Sequence, residues 1–430
     1  MKAKILTLGC KVNQYESEAM LESLLQGGFQ EAGAGEEADL VVVNSCTVTA
    51  TSDQKVRQML RRARKENPNA VTVLTGCMPQ AFPEKAASLL EADIVLGNAR
   101  RKDLLPRVLE YMSSKQRIVD IAPHETGEPF EPMEVTAFHG RTRAFLKIQD
   151  GCDRFCAYCI IPYARGRVRS KPLEDLRREV ASLGEHGYRE AVLTGINLPA
   201  YGKELGLHLC DAVEAACGAP GIRRVRLGSL EPEQLTPEVI ARMAKEEKLC
   251  PQFHLSLQSG CGATLRRMNR HYTPEEYRQI VHNLREAFPN CAITTDIMVG
   301  FAGETDEEFQ ESLDFAREIA FAKVHVFAYS RRPGTRAYEM PHQVPNKIKE
   351  ERSRKMIEVT RQTQQEFLKS QVGKVEEVLF EQAKEQGVWE GYTPNYTHVL
   401  VASGKSLSGQ ILPVQLESVQ GESCVGRLVE

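Results

Sequence analysis

The sequence predicts an α/β protein in three parts, because strands and helices alternate through the first two parts and strands alone fill the third. The first part is predicted to be a doubly wound parallel α/β domain, and the second a series of six strand–helix units. The third is predicted to be a small antiparallel β-barrel. We place these domains at residues 1–135, 138–368 and 371–430 of the 430-residue chain.

Composition and charge narrow the class of protein. The formal net charge is only −3, and no apolar run approaches the roughly 20 residues that a membrane-spanning helix needs. The opening MKAKILTLGC predicts a strand rather than a secretory signal. Twelve cysteines without a secretion signal indicate a reducing compartment, where cysteines bind metals or fill cores. We therefore expect a cytoplasmic protein with no membrane association.

The first domain is predicted from four short apolar runs, each followed by a helical segment. The second run is nearly all β-branched, as expected for a strand covered on both faces of a parallel sheet. Met20, Leu21, Leu24 and Leu25 fall on one face of the helix that follows the first run. The four predicted strands are AKILTLG, DLVVVNS, VTVLTG and DIVLGN.

A cysteine follows each of the first three predicted strands. We call Cys10, Cys46 and Cys77 the N-terminal cysteine set. Because ligands of open parallel sheets bind beyond the carboxyl ends of the strands, we expect these three thiols to meet at one point. Three unrelated core cysteines are the alternative, since free cysteine is often buried. The shared strand-end position favours a three-thiolate iron–sulfur site with one iron left open.

A second group, which we call the loop cysteine set, consists of Cys152, Cys156 and Cys159 in GCDRFCAYCIIPYARG, with the spacing C-x3-C-x2-C. The stretch follows AFLKIQ, a predicted strand, and the loops after strands of α/β folds commonly carry the chemistry. Three thiolates this close can bind three corners of a four-iron cluster and leave the fourth iron open to a small molecule. A zinc site or redox cysteines are the alternatives, but zinc normally takes four ligands in paired spacings.

Four motifs together resemble the methylthiotransferases, a family of radical S-adenosylmethionine (SAM) enzymes with two iron–sulfur clusters. These motifs are LGCKVNQYES, NSCTVTATSDQK, TGCMPQ and GCDRFCAYCIIPYARGRVRS, and the resemblance covers essentially the whole chain. Two positions depart from the family pattern. Ser45 replaces the threonine of NTC, and Ala302 replaces the proline of GFPGET. Neither is a ligand position.

The resemblance implies two [4Fe–4S] clusters, with two SAM molecules used per product. It implies that SAM binds the open iron of the loop cysteine set and is cleaved by one electron to methionine and a 5′-deoxyadenosyl radical. This radical removes hydrogen from an unactivated carbon. The resemblance further implies that the N-terminal cysteine set carries the cluster that delivers sulfur, which the second SAM methylates. All six cysteines are therefore expected to be metal ligands and catalytic groups.

The central domain is predicted from six strands with helical segments between them, a pattern that fits the open (βα)6 barrel implied by the resemblance. The strands are AFLKIQ, EAVLTGIN, RVRLGSLE, QFHLSLQSG, AITTDIMVGF and KVHVFAYS. Their carboxyl ends should face the loop cysteine set and offer acceptors for the hydroxyls and ammonium of SAM. The alternative is that these side chains only fill the barrel. The predicted SAM-binding residues are Gly195, Asn197, Ser229, Glu231, Ser256, Gln258 and Asp296.

The C-terminal strands, from LKSQVGKVEEVLF to CVGRLVE, resemble a TRAM domain, an RNA-binding unit of this family. The tyrosines of GYTPNYTHVLV can stack on bases, although tyrosines also line small barrels. Charge gives no support, since acids outnumber bases eight to four from residue 371 onward. The basic clusters 165–171 and 331–336 follow the loop cysteine set and the sixth strand, where they can hold phosphates. RNA contacts are expected at Arg165, Arg167, Arg169, Arg331, Arg332, Tyr392 and Tyr396.

Within the family, the resemblance is closest to the tRNA enzymes that insert a methylthio group at C2 of N6-threonylcarbamoyladenosine beside the anticodon. The relatives that act on isopentenyladenosine, or on an aspartate of a ribosomal protein, remain alternatives. A protein of another class, a non-catalytic iron–sulfur or zinc protein that binds RNA, also remains open. The expected partners are tRNA and an electron donor such as flavodoxin or ferredoxin, with the chain acting as a monomer.

Overall fold

The N-terminal part of the chain forms a six-stranded parallel sheet in the order β2-β1-β3-β4-β5-β6. The computed structural model describes residues 1–133, 135–136, 138, 141–385 and 387–429. The four predicted strands are present, and β2 and β6 are short additions at the two edges. The elements are β1 (Lys2–Thr7), α1 (Lys11–Gln26), β2 (Gln30–Glu31), β3 (Leu40–Ser45), α2 (Ala50–Glu66), β4 (Val71–Gly76), α3 (Cys77–Ala81), α4 (Pro83–Ala87), β5 (Ile94–Leu96), a 3₁₀ turn (Asn98–Asp103), α5 (Leu104–Ser114) and β6 (Ile118–Asp120).

Helices cover both faces of this sheet, which confirms the doubly wound fold. On one face, Met20 and Leu24 of α1 and Leu104 of α5 pack against alternate strand residues. On the other face, Val56 and Leu60 of α2 pack against the remaining strand residues. Every residue of β3 is buried as a result. This explains why the strand is an uninterrupted apolar run rather than an alternating one.

The central part forms six parallel strands in an open barrel, as predicted. One sheet has the order β11-β10-β7 and the other β12-β13-β14-β15, and β12 continues β11 after a single residue, Gly228. Among the described residues, β7 and β15 do not pair, so the barrel is open between them. The elements are β7 (Arg143–Lys147), β8 (Gln149–Asp150), α6 (Ile161–Arg165), β9 (Arg169–Ser170), α7 (Leu173–Glu185), β10 (Glu190–Thr194), α8 (Leu209–Cys217), β11 (Arg224–Leu227), β12 (Ser229–Leu230), α9 (Pro237–Met243), β13 (Gln252–Leu255), α10 (Gly262–Arg267), α11 (Pro274–Ala287), β14 (Ala292–Val299), α12 (Asp306–Ile319), β15 (Lys323–Ala328) and α13 (Asn346–Gln371). Short 3₁₀ turns cover Leu198–Ala200, Lys203–Leu205, Pro232–Gln234 and Arg336–Tyr338.

The C-terminal part is a closed five-stranded barrel in the order β16-β17-β18-β20-β19. One pair departs from the antiparallel prediction, since β18 and β20 run parallel. The reason is the route of the chain. The β19–β20 hairpin crosses the barrel and returns β20 beside β18, in the same direction, where it closes the last gap. The strands are β16 (Val375–Glu385), β17 (Val388–Tyr392), β18 (His398–Ala402), β19 (Ile411–Gln420) and β20 (Ser423–Leu428).

The C-terminal barrel is seated on the amino-terminal ends of the central strands. Arg143, at the start of β7, forms an ion pair with Glu381 at 2.5 Å. Arg224, at the start of β11, donates to the carbonyl of Glu377 at 2.6 Å. Arg226 donates to the carbonyl of Pro394 at 2.9 Å. These contacts hold the turn between β17 and β18 over the barrel interior. Within the described ranges, no helix has the length and apolar character needed to cross a membrane.

Candidate active site

The N-terminal cysteine set lies at the carboxyl ends of three neighbouring strands, β1, β3 and β4. Cys46 follows β3 directly, Cys77 opens α3 directly after β4, and Cys10 is the residue before α1. Two glycines permit the close approach. A Cβ on Gly9 (φ +124°) would stand 3.0 Å from the Cβ of Cys46, and one on Gly76 (φ +99°) would stand 2.4 Å from the carbonyl oxygen of Ser45. Both conformations favour glycine. The ends of the three strands that precede the cysteines lie side by side at one edge of the sheet.

The departure at Ser45 is accommodated by hydrogen bonds that link the same strand ends. The Ser45 hydroxyl donates to the carbonyl of Thr75 at 2.6 Å and accepts from the backbone N–H of Met78 at 3.2 Å. Asn13 spans the other side, because its side-chain amide donates to the carbonyls of Leu8 at 2.9 Å and Ser45 at 3.0 Å. The two side chains therefore fix the loops that carry Cys10, Cys46 and Cys77.

The electrostatics of this set show that its thiols are close neighbours. Burial raises the pKa of Cys46 to about 11, and the nearby thiols of Cys77 and Cys10 add to the rise. Cys10 is exposed, whereas Cys46 is partly buried and Cys77 is buried. Thiols in this setting ionise when a positively charged metal centre compensates the charge, which fits a metal-binding role.

The loop cysteine set lies in the loop between β8 and β9, which pair as a short antiparallel ladder and close the loop at its base. The segment after α10 braces the loop from the other side. The backbone N–H of Ala157 donates to the carbonyl of Met268 at 2.8 Å, and the Asn269 side chain donates to the carbonyl of Phe155 at 3.1 Å. Burial raises the pKa of Cys152 to about 11, with a contribution from the neighbouring Cys156. The three thiols thus share one small, braced loop.

Arg270 contacts this loop at a cysteine, and sequence reasoning missed it. Its guanidinium donates to the sulfur of Cys156 at 3.3 Å and to the carbonyl of Ser256 at 3.1 Å, and it forms an ion pair with Glu231. A charge-assisted hydrogen bond to a thiolate stabilises its negative charge. In the sequence, Arg270 was visible only as the last residue of the basic cluster RRMNR. It lies 114 residues from Cys156, and no spacing pattern connects it to the loop.

The thiols of the two cysteine sets are the donors that an iron–sulfur cluster or a zinc ion would use. Among the described residues, no three Cys, His, Asp or Glu donors surround a point where a single metal ion can bind. In a four-iron cluster each thiolate binds a different iron, so the sulfurs stand farther apart than they do around one ion. Each set offers three thiols, the number that a four-iron cluster with one open iron takes, whereas a structural zinc site takes four ligands.

Two predicted SAM-binding residues carry buried oxygens that lack a partner. The side-chain oxygens Oδ1 of Asn197 and Oε1 of Gln258 accept no hydrogen bond within the described part of the chain. Gln258 also holds a positive φ of 67°, which is uncommon outside glycine. Because a buried acceptor without a donor is unfavourable, these two atoms are suited to a ligand that carries hydroxyl or ammonium donors.

The other five predicted SAM-binding residues divide into two groups. Gly195, Ser229 and Asp296 line a cavity of about 980 Å³ at the meeting of the three parts of the chain. Asp296 lies 3.3 Å from His254 there. Glu231 and Ser256 lie instead beside the loop cysteine set, where Arg270 binds both. The carboxylate of Glu231 is therefore already paired.

The cavity lies between the N-terminal cysteine set and the interior of the central barrel. Cys10 lines it, together with the strand-end residues of the central barrel and the stacked rings of Tyr392 and Tyr396. The loop cysteine set is not part of this lining. It is linked to the barrel through Glu231, which follows β12 and pairs with Arg270, and Arg270 contacts Cys156. The volume is at the upper end of the range for small-molecule sites, so it suits a ligand of nucleoside size or larger.

Three of the five arginines predicted to contact RNA lie inside the protein instead. Arg165 is 1% exposed and pairs with Glu16 at 2.7 Å. Arg332 is 2% exposed and pairs with Asp53 at 3.0 Å, and Arg169 lies 3.6 Å from Asp150. The prediction is wrong at these positions, because each guanidinium is used in a buried ion pair that joins segments of the protein.

The remaining four predicted RNA residues keep accessible surface. Arg167 and Arg331 are exposed. Tyr392 and Tyr396 are partly buried and stack on one another, with ring centres 4.5 Å apart and an angle of 16° between the planes. Arg143 lies over both rings, at 5.1 and 5.3 Å. The tyrosines therefore belong to the cavity wall, where one ring supports the other.

A buried network of charges joins the N-terminal sheet to the central barrel. Glu16 of α1 is fully buried and contacts Arg101, Arg165 and Lys147 at 2.5, 2.7 and 2.7 Å. Burial alone raises the pKa of Glu16, but these three cations outweigh it and lower the pKa to about 2. Arg165 also donates to Asn13 at 2.7 Å, which ties the network to the N-terminal cysteine set.

We expect Glu16→Gln to lower the free energy of unfolding by about 3–5 kcal/mol, because it leaves three buried cations without their carboxylate. The measurement is urea unfolding of the protein, compared with the exposed control Glu37→Gln, for which a change within about 0.5 kcal/mol is expected. Since the pKa of Glu16 is lowered in the folded state, its contribution to stability is present above the unfolded pKa of about 4.3 and is lost as the pH falls toward 2. Equal stability of the two variants contradicts the structural role of the network.

Two family models match separate parts of the chain. The model of the radical SAM superfamily matches residues 146–316, which include the loop cysteine set. The model of uncharacterized protein family UPF0004 matches residues 2–97, which include the N-terminal cysteine set.

Several curated relatives match over nearly the full length. The threonylcarbamoyladenosine tRNA methylthiotransferase MtaB of Bacillus subtilis is 37% identical, over 95% of this chain and 92% of its own. The protein of the same name from Thermotoga maritima is 38% identical, over 99% of this chain and 98% of its own. The tRNA-2-methylthio-N(6)-dimethylallyladenosine synthase of Pelotomaculum thermopropionicum is 36% identical, over 96% and 94%.

A similar solved structure supports the fold. It is the radical SAM methyltransferase TsrM from Kitasatospora setae with cobalamin and a [4Fe-4S] cluster bound, which superposes with a TM-score of 0.57 at 15% identity. The match covers 78% of this chain and 74% of that chain. At this identity the likeness concerns the architecture alone.

Proposed function

This chain belongs to the radical SAM tRNA methylthiotransferase family, and from that premise we propose that it inserts a methylthio group at C2 of N6-threonylcarbamoyladenosine in tRNA. The adenosine is the one beside the anticodon. The observation that carries the proposal is the placement of Cys10 and the central strand ends on one cavity. A base held in that cavity would lie beside Cys10, and we propose that it also comes within reach of the loop cysteine set, as sulfur insertion at a carbon requires.

As a radical SAM protein, the chain uses an iron–sulfur cluster together with SAM. We propose that Cys152, Cys156 and Cys159 hold one [4Fe–4S] cluster and that Cys10, Cys46 and Cys77 hold a second. When bound, such clusters supply the single electron that cleaves SAM and the sulfur that is transferred. Two SAM molecules are then used per product, one as the radical source and one as the methyl donor.

The surrounding side chains position these groups and exclude water. Arg270 donates to Cys156 and holds Glu231, so it fixes the loop against the barrel wall. Asn197 and Gln258 offer buried, unpartnered oxygens that can accept hydrogen bonds from the hydroxyls and ammonium of SAM. The predicted roles of Gly195, Ser229 and Asp296 as ligand-facing cavity residues remain part of the proposal.

The remaining RNA contacts belong to the proposal as well. The exposed guanidiniums of Arg167 and Arg331 are placed to hold phosphates at the reaction face. The rings of Tyr392 and Tyr396 line the cavity in which the target base would lie. We further propose a cytoplasmic monomer that receives electrons from a flavodoxin or ferredoxin.

The runner-up function is methylthiolation of isopentenyladenosine, because a relative of that activity is 36% identical to this chain. The cavity favours the first function. An isopentenyl group is wholly apolar, whereas the lining carries lysine, histidine and carboxylate side chains. Methylthiolation of a ribosomal-protein aspartate and non-catalytic RNA binding lack an observation of this kind.

The test is an anaerobic reaction of the reconstituted full chain with SAM and a chemical reductant. The substrates are two otherwise identical anticodon stem-loops, one with threonylcarbamoyladenosine and one with isopentenyladenosine. We expect methylthio product from the first loop, measured by mass spectrometry of the nucleosides. Product from the second loop alone supports the runner-up, and no product from either loop, with both clusters assembled, supports the non-catalytic alternative.

A further inference from the structure

The cavity wall beside the N-terminal cysteine set carries a lysine that has no partner. Lys11 directly follows Cys10 and lines the cavity. Its ammonium lies 6.0 Å from the centre of the Phe145 ring. Throughout the part of the chain that the structure describes, no carboxylate lies within 4.0 Å of this ammonium. The Lys11 ammonium also donates no hydrogen bond to a described residue.

The other lysine and the three carboxylates that line this cavity each have a partner among the described residues. Lys323, the second lysine of the lining, pairs with Glu422 at 3.2 Å. The other two lining carboxylates, Asp296 and Glu390, lie 3.3 and 3.2 Å from the rings of His254 and His398. An unpaired ammonium on a half-buried wall is unfavourable unless a ligand supplies the opposite charge. The lone positive charge therefore marks a position for an anionic ligand group.

The covalent structure of the proposed substrate places a carboxylate on the same edge of the base as the reacting carbon, C2. In adenine, N1 lies between C2 and the carbon that bears N6, so the reacting C2 and the N6 substituent lie on one edge of the base. The threonylcarbamoyl group on N6 ends in a carboxylate and a hydroxyl. A residue next to the sulfur-delivering Cys10 is therefore near the point that this carboxylate reaches when C2 faces the sulfur.

We infer that Lys11 binds the carboxylate of the threonylcarbamoyl group and thereby selects this nucleoside over adenosines with an uncharged N6 substituent. The inference rests on the proposed function and names the residue that determines its specificity. The neighbouring cations do not compete for the carboxylate, because Arg143 pairs with Glu381 and Arg226 pairs with Glu190.

The test compares two stem-loops that differ only in charge, one with threonylcarbamoyladenosine and one with its methyl ester. We expect the wild-type chain to prefer the free carboxylate about 10- to 100-fold in kcat/KM and in binding affinity, the range for one charge-assisted hydrogen bond. Lys11→Gln should bind and methylthiolate both loops equally. Lys11→Arg should restore the preference, since it keeps the charge.

Two controls separate this role from damage to the neighbouring cluster. Lys65→Gln removes an exposed lysine of the same domain and should keep the full preference. Iron content and SAM cleavage without RNA should be equal in Lys11→Gln and wild type. The ratio between the two loops is measured within one protein, so a general loss of activity cancels.

The inference is overturned if Lys11→Gln still prefers the free carboxylate as strongly as the wild type does. It is also overturned if the wild-type chain, while methylthiolating the threonylcarbamoyl loop, shows no preference over the ester. Failure of the wild-type chain to methylthiolate either loop is a different result, because it contradicts the proposed function itself.

Discussion

We expect Cys46→Ala to abolish methylthio transfer while SAM cleavage continues. Cys46 follows β3, at the sheet edge where Cys77 and Cys10 also lie, and is far along the chain from the loop cysteine set. Removing one of three thiolates leaves too few ligands to hold the sulfur-delivering cluster. The loop cysteine set and its Arg270 contact are untouched by the change. The measurement is 5′-deoxyadenosine and methylthio nucleoside from one reaction, by mass spectrometry.

The matched control for this variant is Cys291→Ala, which removes a partly buried cysteine that belongs to neither set. It should retain both products. Iron per chain should fall from about eight in the wild type to about four in Cys46→Ala. If Cys46→Ala still forms methylthio nucleoside at the wild-type rate, the role of the N-terminal cysteine set in sulfur delivery is wrong.

Cys156→Ala should have the broader effect, with loss of both 5′-deoxyadenosine and methylthio product. Cys156 is the middle ligand of the loop cysteine set and the acceptor of the Arg270 hydrogen bond. Without it, two thiolates remain and the open iron that SAM needs is not held. We expect 5′-deoxyadenosine to fall by at least about 1,000-fold, since no side-chain acid or base substitutes for an electron donor.

The control for Cys156→Ala is the iron that the protein still binds. The N-terminal cysteine set should still bind about four irons per chain, because its ligands lie on other strands. SAM cleavage at the wild-type rate in this variant contradicts the assignment of the loop cysteine set. Loss of all iron instead shows that the change has unfolded the protein.

Much of the fold was predictable because it depends on local patterns. The β-branched run of β3 and the apolar face of α1 each identify an element without reference to the rest of the chain. The placement of Cys10, Cys46 and Cys77 at one edge of the sheet was also predictable, since parallel strands of one sheet end at the same edge. The parallel pairing of β18 and β20 was not, because it depends on how a later hairpin crosses the barrel.

The charged residues of the site show where sequence reasoning fails. Arg165 and Arg167 stand two positions apart in one basic cluster, yet Arg165 is buried against Glu16 and Arg167 is exposed. The partner of Arg165 lies 149 residues away, so nothing near it in the sequence reveals the ion pair. Arg270 was missed for the same reason, since its contact with Cys156 spans 114 residues. Lys11 was visible in the sequence only as a neighbour of Cys10.

The most direct test of the proposed function is mass spectrometry of tRNA nucleosides from cells with and without this gene. We expect specific loss of 2-methylthio-N6-threonylcarbamoyladenosine, with its unthiolated precursor retained, and recovery when the wild-type gene but not the Cys46→Ala gene is returned. Loss of the isopentenyl form instead assigns the runner-up substrate. Unchanged tRNA nucleosides contradict the account.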